Sequence, residues 1–183
     1  MSTKDLILAA AGDDTHIFSA KSIIYMPCLD SDGTMPRGYT SEVMRGSTSG
    51  NGSVRFDFSI ETGEKAVREK FEWRKFSKGD ETSAKKGGFR LVRLTSSPGG
   101  SYDGSSQASI GDGEIVAMLK WAFSWTNIKQ AFSLELIGSG RSGRLGERWI
   151  LMVVITALRI YTLYFTGKTS SASISLGEKV SGK

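Results

Sequence analysis

The chain is 183 residues long, 39% of them hydrophobic, and carries 24 Lys and Arg against 19 Asp and Glu, a net charge of +5. That length supports one domain with a core of its own, and the mildly basic balance suits an anionic partner without requiring one. The single cysteine, Cys28, and single histidine, His16, exclude an intramolecular disulfide, a Cys/His zinc cluster, an HExxH helix and a CxxC redox pair.

The opening "MSTKDLILAAAGDDTH" contains an apolar run, Leu6 to Ala11, that is too short and too soon acidic for a secretory signal. Together with the lone cysteine this predicts a reducing, cytoplasmic setting. His16 has no nucleophile or carboxylate at a spacing that would recruit it to catalysis. "THIFSA" and "KSIIYMP" read as two weak strands, the second ended by Pro27. The following "LDSDGTMPRGYTSEVMRGSTSGNG" reads as a Gly/Ser/Asp loop.

"SVRFDFSIE" sets Val54, Phe56, Phe58 and Ile60 on one face and Arg55, Asp57, Ser59 and Glu61 on the other. Such strict alternation is the mark of a half-buried strand. In "VREKFEWRKF" Phe71 and Trp73 share a face, and a phase slip before Phe76 predicts a bulge. "GGFRLVRL" is the next strand. "GEIVAMLKWAF" is apolar almost throughout, which predicts cover on both faces. "AFSLELIG" is the last. Loops "KGDETSAKKGG" and "SSPGGSYDGSSQASIGDG" punctuate a single domain, residues 1–183, with residues 1–12 and 168–183 expected to be flexible ends. Successive strands without crossover helices predict a mainly β fold, an antiparallel barrel or sandwich.

The segment after Gly146, "ERWILMVVITALRIYTLYF", is long enough for a helix and has Arg159 as its one interior charge. Trp149–Phe165 lies at the lower bound of the ~17–25 residues that cross a bilayer, and a central arginine is costly there. A helix with apolar residues all round is expected to be buried on every side by protein rather than to span a membrane. On that reading Leu158 needs cover as much as Trp149 does, and Arg159 needs a carboxylate, backbone carbonyls or an opening to solvent.

Gly138-Ser139-Gly140-Arg141-Ser142-Gly143 spells G-x-G-x-x-G between an apolar strand and that helix. A dinucleotide site, however, needs a second parallel strand and an acidic residue about 20 positions on. That count lands at Leu158 and Arg159, without a carboxylate, so no dinucleotide and no other cofactor is expected. Arg141, Arg144 and Arg148 remain as candidates for an anion site at the helix start, where free amides and the helix dipole favour negative charge.

Two stretches resemble a known family. "FEWRKFSKGDE" with "GGFRLVRL", and "GRLGERWILMVVITALRI", are similar to segments of small fungal tubby-like proteins related to the LURP-one group, over roughly residues 54 to 167. The resemblance implies a closed antiparallel β-barrel threaded by a hydrophobic helix near the carboxyl terminus. It also implies phosphoinositide binding through basic surface residues, although no position here matches the family's phosphate-binding motif. The relatives usually end their helix in a basic run, whereas this chain continues "YTLYFTGKTSS".

Two functions follow. One is a non-enzymatic binding module for an anionic lipid headgroup or a protein partner, using Arg141, Arg144, Arg148 and the pair Lys85 and Lys86. The other is a cofactor-independent cyclase or isomerase of fungal secondary metabolism acting on a small-molecule substrate. Trp73, Trp121, Phe123 and Trp125 would line its pocket, with Arg159 at the mouth and Glu72, Glu114 or Glu135 as acid or base. Basic and aromatic residues are not concentrated in one stretch, which argues against nucleic acid.

Overall fold

A computed structural model of the chain describes residues 8–14, 20–28, 38–77, 87–94, 113–122 and 131–181. Its strands are β1 (Ala10–Asp13), β2 (Lys21–Pro27), β3 (Tyr39–Thr48), β4 (Val54–Thr62), β5 (Val67–Phe76), β6 (Gly88–Leu94), β7 (Glu114–Trp121) and β8 (Phe132–Leu136). Each pairs antiparallel with the next, giving one eight-stranded up-and-down sheet in sequence order. A short turn of helix, α1 (Gly138–Arg141), precedes the long α2 (Glu147–Phe165), and α3 (Ser171–Ser181) follows. The fold is therefore mainly β with a hydrophobic helix near its carboxyl end.

The sheet does not close on itself, since β1 and β8 sit at opposite ends of the strand order. Its two edges nevertheless flank one element. α2 touches β1, β2 and β8 as well as the central β4, so the sheet must curl around the helix. On one side the Arg159 guanidinium pairs with Asp13 of β1, and its Nε donates to the Ser22 hydroxyl of β2 at 3.0 Å. On the other side Tyr161 packs on Phe132 of β8 with ring centroids 5.2 Å apart.

This position corrects the expected burial of α2. Trp149, Met152, Val153, Thr156, Ala157, Ile160 and Leu163 recur at helical spacing and are buried against the sheet. The opposite arc looks out through the gap between the edges: Val154 is 40%, Leu158 44% and Phe165 77% exposed. By length and composition α2 could cross a membrane, yet here its inner face packs into a protein core.

That core is aromatic. Phe56, Phe58, Phe71, Trp73, Phe89 and Trp149 are all at most 2% exposed, and Phe58 stacks on Phe71 with centroids 5.6 Å apart. β4 supplies alternate residues, Val54 to Ile60, as its pattern requires. In β7 the run Val116–Leu119 is buried without a break, so both faces are covered. The Trp73 indole donates to the Thr156 hydroxyl at 3.1 Å, and that hydroxyl in turn lies within hydrogen-bond reach of the Met152 and Val153 carbonyls.

Two local expectations are revised. β3 lies inside the stretch read as loop, because its buried face is Glu42, Met44 and Gly46 while Val43 points outward. β5 pairs in unbroken register with both neighbours, so Phe76 simply faces the other side of the sheet, beside Gly88; the irregularity lies in the β6–β7 pairing, where Leu91 and Val92 face Ala117 and Ile115 and Val116 of β7 is the extra residue. Residues 171–181 form α3, which seats Ile174 against Gly46 and Phe56 and bonds Thr48 through Glu178. Residues 15–19 of "THIFSA" lie outside the described residues.

Candidate ligand-binding surface at the glycine turn

Three of the four glycines between β8 and α2, those of the G-x-G-x-x-G spacing, are required by backbone angle or close packing. Gly138 has φ +52°, and a Cβ there would stand 2.5 Å from Glu114 Oε1. Gly140 is packed flat on β7: a Cβ would fall 2.2 Å from the Val116 carbonyl and 2.8 Å from the Trp149 ring. Gly143 has φ +75°, a left-handed conformation that side chains disfavour. The spacing thus serves to lay a tight turn on the sheet. Glu114 occupies its amide end, accepting from the Ser139 N–H and hydroxyl, each at 2.6 Å. A carboxylate of the chain itself takes the donor that a pyrophosphate would need.

The candidate arginines separate. Arg141 and Arg144 are exposed in the turn. Arg148 is not available to a ligand, with its side chain only 12% exposed. It reaches the Pro27 carbonyl at 2.5 Å, the Thr40 hydroxyl at 2.9 Å, Glu42 at 3.4 Å and Glu61 at 3.3 Å. Arg68 completes the cluster, bonding Glu42 and Glu61 at 2.5 Å each. Two arginines against two glutamates leave no net charge. Burial pushes the Glu61 carboxyl upward, but its backbone hydrogen bond and the two guanidinium groups outweigh this and hold it below the usual range. The Glu42 carboxylate holds Arg68 above its usual value despite burial.

Around this turn two clefts adjoin. One, of about 780 Å³, is largely apolar, walled by Leu8, Pro27, Leu145, Ile150, Leu151 and Val154, with Cys28, Glu61, Glu147 and Arg148 also on its lining. The other, of about 610 Å³, is mixed: Glu64, Lys65, Glu69, Arg93 and Arg144 bring charge to it, and Val67 and Leu145 apolar surface. They share Gly63, Leu145 and Gly146, a wall fixed by the Gly63 N–H donating to the Leu145 carbonyl at 3.1 Å. Arg93 is neutralised, bonded to Glu69 at 2.5 Å and lying 3.7 Å from Glu114. Among the described residues no carboxylate lies within ion-pair distance of Lys65 or Arg144.

The aromatic pocket proposed from sequence is not assembled from its described members. Trp73 is wholly buried in the core, and Trp121 stacks on Tyr164 with centroids 4.5 Å apart. Arg159 is tied to Asp13 and Ser22. Phe123, Trp125, Lys85, Lys86 and His16 lie outside the described residues. The candidate acids are engaged: Glu72 pairs with Arg74 at 2.5 Å and Glu135 with Lys120 at 2.9 Å. Glu114 is held below the ordinary carboxylate range by its Ser139 hydrogen bonds, the reverse of what a general acid needs. Among the described residues no cluster of His, Cys, Asp and Glu is set to hold a metal.

Sequence reasoning missed Lys65, which stands in the β4–β5 turn "TGEKAV", because an isolated lysine in a turn carries no signal until the fold brings it beside Arg144. Glu42 and Arg68, which remove Arg148 from the surface, were equally invisible. No protein-family model, curated protein or solved structure matches the chain.

Proposed function

We propose that the protein is a non-enzymatic binding module of tubby-like type that recognises an anionic lipid headgroup at the charged cleft beside the glycine turn. The observation that supports this reading is the pair Lys65 and Arg144, two cations with no ion pair among the described residues, in a cleft that holds three cations (Lys65, Arg93, Arg144) against two carboxylates (Glu64, Glu69). Arg141 adds a further exposed positive charge in the turn that carries Arg144. The concave side of the sheet is filled by α2 and aromatic side chains, which favours recognition at the surface over chemistry in an interior pocket. Closure of the sheet into a full barrel belongs to the same proposal, with α2 bridging the two edges.

The test is capture by vesicles. Vesicles rich in phosphatidylserine or phosphoinositide are expected to retain the protein, and neutral phosphatidylcholine vesicles are not. Each basic residue near an anionic surface contributes about 1 kcal/mol, so the double variant Lys65→Ala, Arg144→Ala is expected to weaken capture roughly thirtyfold. Added salt is expected to weaken it as well. Equal retention by neutral and acidic vesicles refutes the reading.

A further inference from the structure

The apolar cleft lies where a headgroup's own hydrocarbon would fall. Its volume, about 780 Å³, is within the ~300–1,000 Å³ typical of small-molecule sites. Leu8, Leu151 and Val154 line it, and Leu8 and Val154 are 69% and 40% exposed, an apolar surface left facing water. Its charged neighbour is one backbone wall away, across Gly63, Leu145 and Gly146. A single occupant spanning both would match them with an apolar chain at one end and a negative group at the other.

We propose that the apolar cleft receives the acyl chain of a single-chain anionic amphiphile, such as a lysophosphatidate or a fatty acid, whose head rests on Lys65 and Arg144. This deepens the headgroup reading above and rests on it. Charge favours this orientation: the Arg148 cluster at the apolar cleft is internally neutral, whereas the other cleft holds Lys65, Arg93 and Arg144 against Glu64 and Glu69, an excess of one positive charge. An acyl chain laid over Leu151 and Val154 removes from water the amino-terminal part of the arc of α2 that the sheet leaves bare.

The experiment is calorimetric titration of the full chain with oleoyl lysophosphatidic acid, its shorter-chain homologues and glycerol 3-phosphate. One molecule is expected to bind per chain, with affinity falling about tenfold for every two methylenes removed. Glycerol 3-phosphate, which has the head without the chain, is expected to bind at least a hundredfold more weakly. Val154→Trp and, separately, Leu8→Trp fill the cleft from solvent-facing positions. Each is expected to leave the melting temperature unchanged and to weaken the lysophosphatidate at least tenfold. Affinity independent of chain length, or wild-type affinity in both tryptophan variants, overturns the proposal. If acidic vesicles still capture the protein in that event, the headgroup reading stands and the chain-binding site falls. If capture is lost too, both fall.

Discussion

The Trp73 indole N–H and the Thr156 hydroxyl meet at 3.1 Å in the centre of the molecule, and both residues are wholly buried. This one bond joins the middle of the sheet to the middle of the helix that fills it. Thr156→Val keeps the shape but leaves the indole N–H unpaired, a loss of about 1–3 kcal/mol. Trp73→Phe removes the donor together with part of a large ring and is expected to cost more. The pair should couple by about 1 kcal/mol in a double-mutant cycle measured by urea denaturation. Additive effects would show that the bond contributes nothing of its own.

The two faces of α2 predict opposite responses to the same kind of substitution. Ile160 is fully buried, and Ile160→Ala is expected to cost about 2–5 kcal/mol. Leu158 is 44% exposed, and Leu158→Ala is expected to change stability by less than about 1 kcal/mol. Comparable losses at the two positions would mean that the outer arc is covered after all.

Most of the strands could be read from the sequence because their inward residues are large and apolar at alternate positions, as from Val54 to Ile60. β3 could not, since its inward face is built from Glu42, Met44 and Gly46 and its valine points to solvent. The helix was legible in type and extent but not in burial. Composition records that every side of α2 is apolar, and says nothing of a sheet whose edges stop short of each other. Of the arginines near the turn, Arg148 was misjudged because its partners lie 87 and 106 residues away in the chain, at Glu61 and Glu42.

The glycine turn predicts a specific intolerance. Gly140→Ala would drive a methyl group into the Val116 carbonyl, an overpacking expected to cost about 1–3 kcal/mol or more. Gly50→Ala, with open space around it, serves as the control. NAD, NADP and FAD are each expected to leave the melting temperature unchanged, because Glu114 already occupies the turn's amide. A saturable rise of several degrees with any of them would contradict this account of the glycines.

Acid should expose the ion pairs. Burial raises Glu69, but hydrogen bonds from Arg93 and Thr62 outweigh it, and Glu61 behaves likewise; both carboxyls are held below 4.5 in the folded chain. Unfolding returns them to the ordinary value, so their contribution is complete above about pH 5. It is lost as pH falls from about 4.5 down through their folded values. Glu69→Gln is expected to cost about 1–2 kcal/mol at neutral pH and to flatten the acid limb of a melting-temperature profile. An acid limb as steep as that of the parent chain would show that Glu69 is not part of it.

The placement of α2 between the sheet's two edges also sets an order of events in the cell. Trp73 waits for a partner 83 residues downstream, and Ser22 for one 137 downstream. As the chain leaves the ribosome, all eight strands precede α2 and emerge with their aromatic side bare, since among the described residues the helix that fills the trough begins only at Glu147. Such a half-made sheet is a sticky object, slow to mature and open to wrong company. The last fifth of the polypeptide is thus the part that ends its exposure, and a chain truncated before it would be a client for chaperones rather than a smaller working protein.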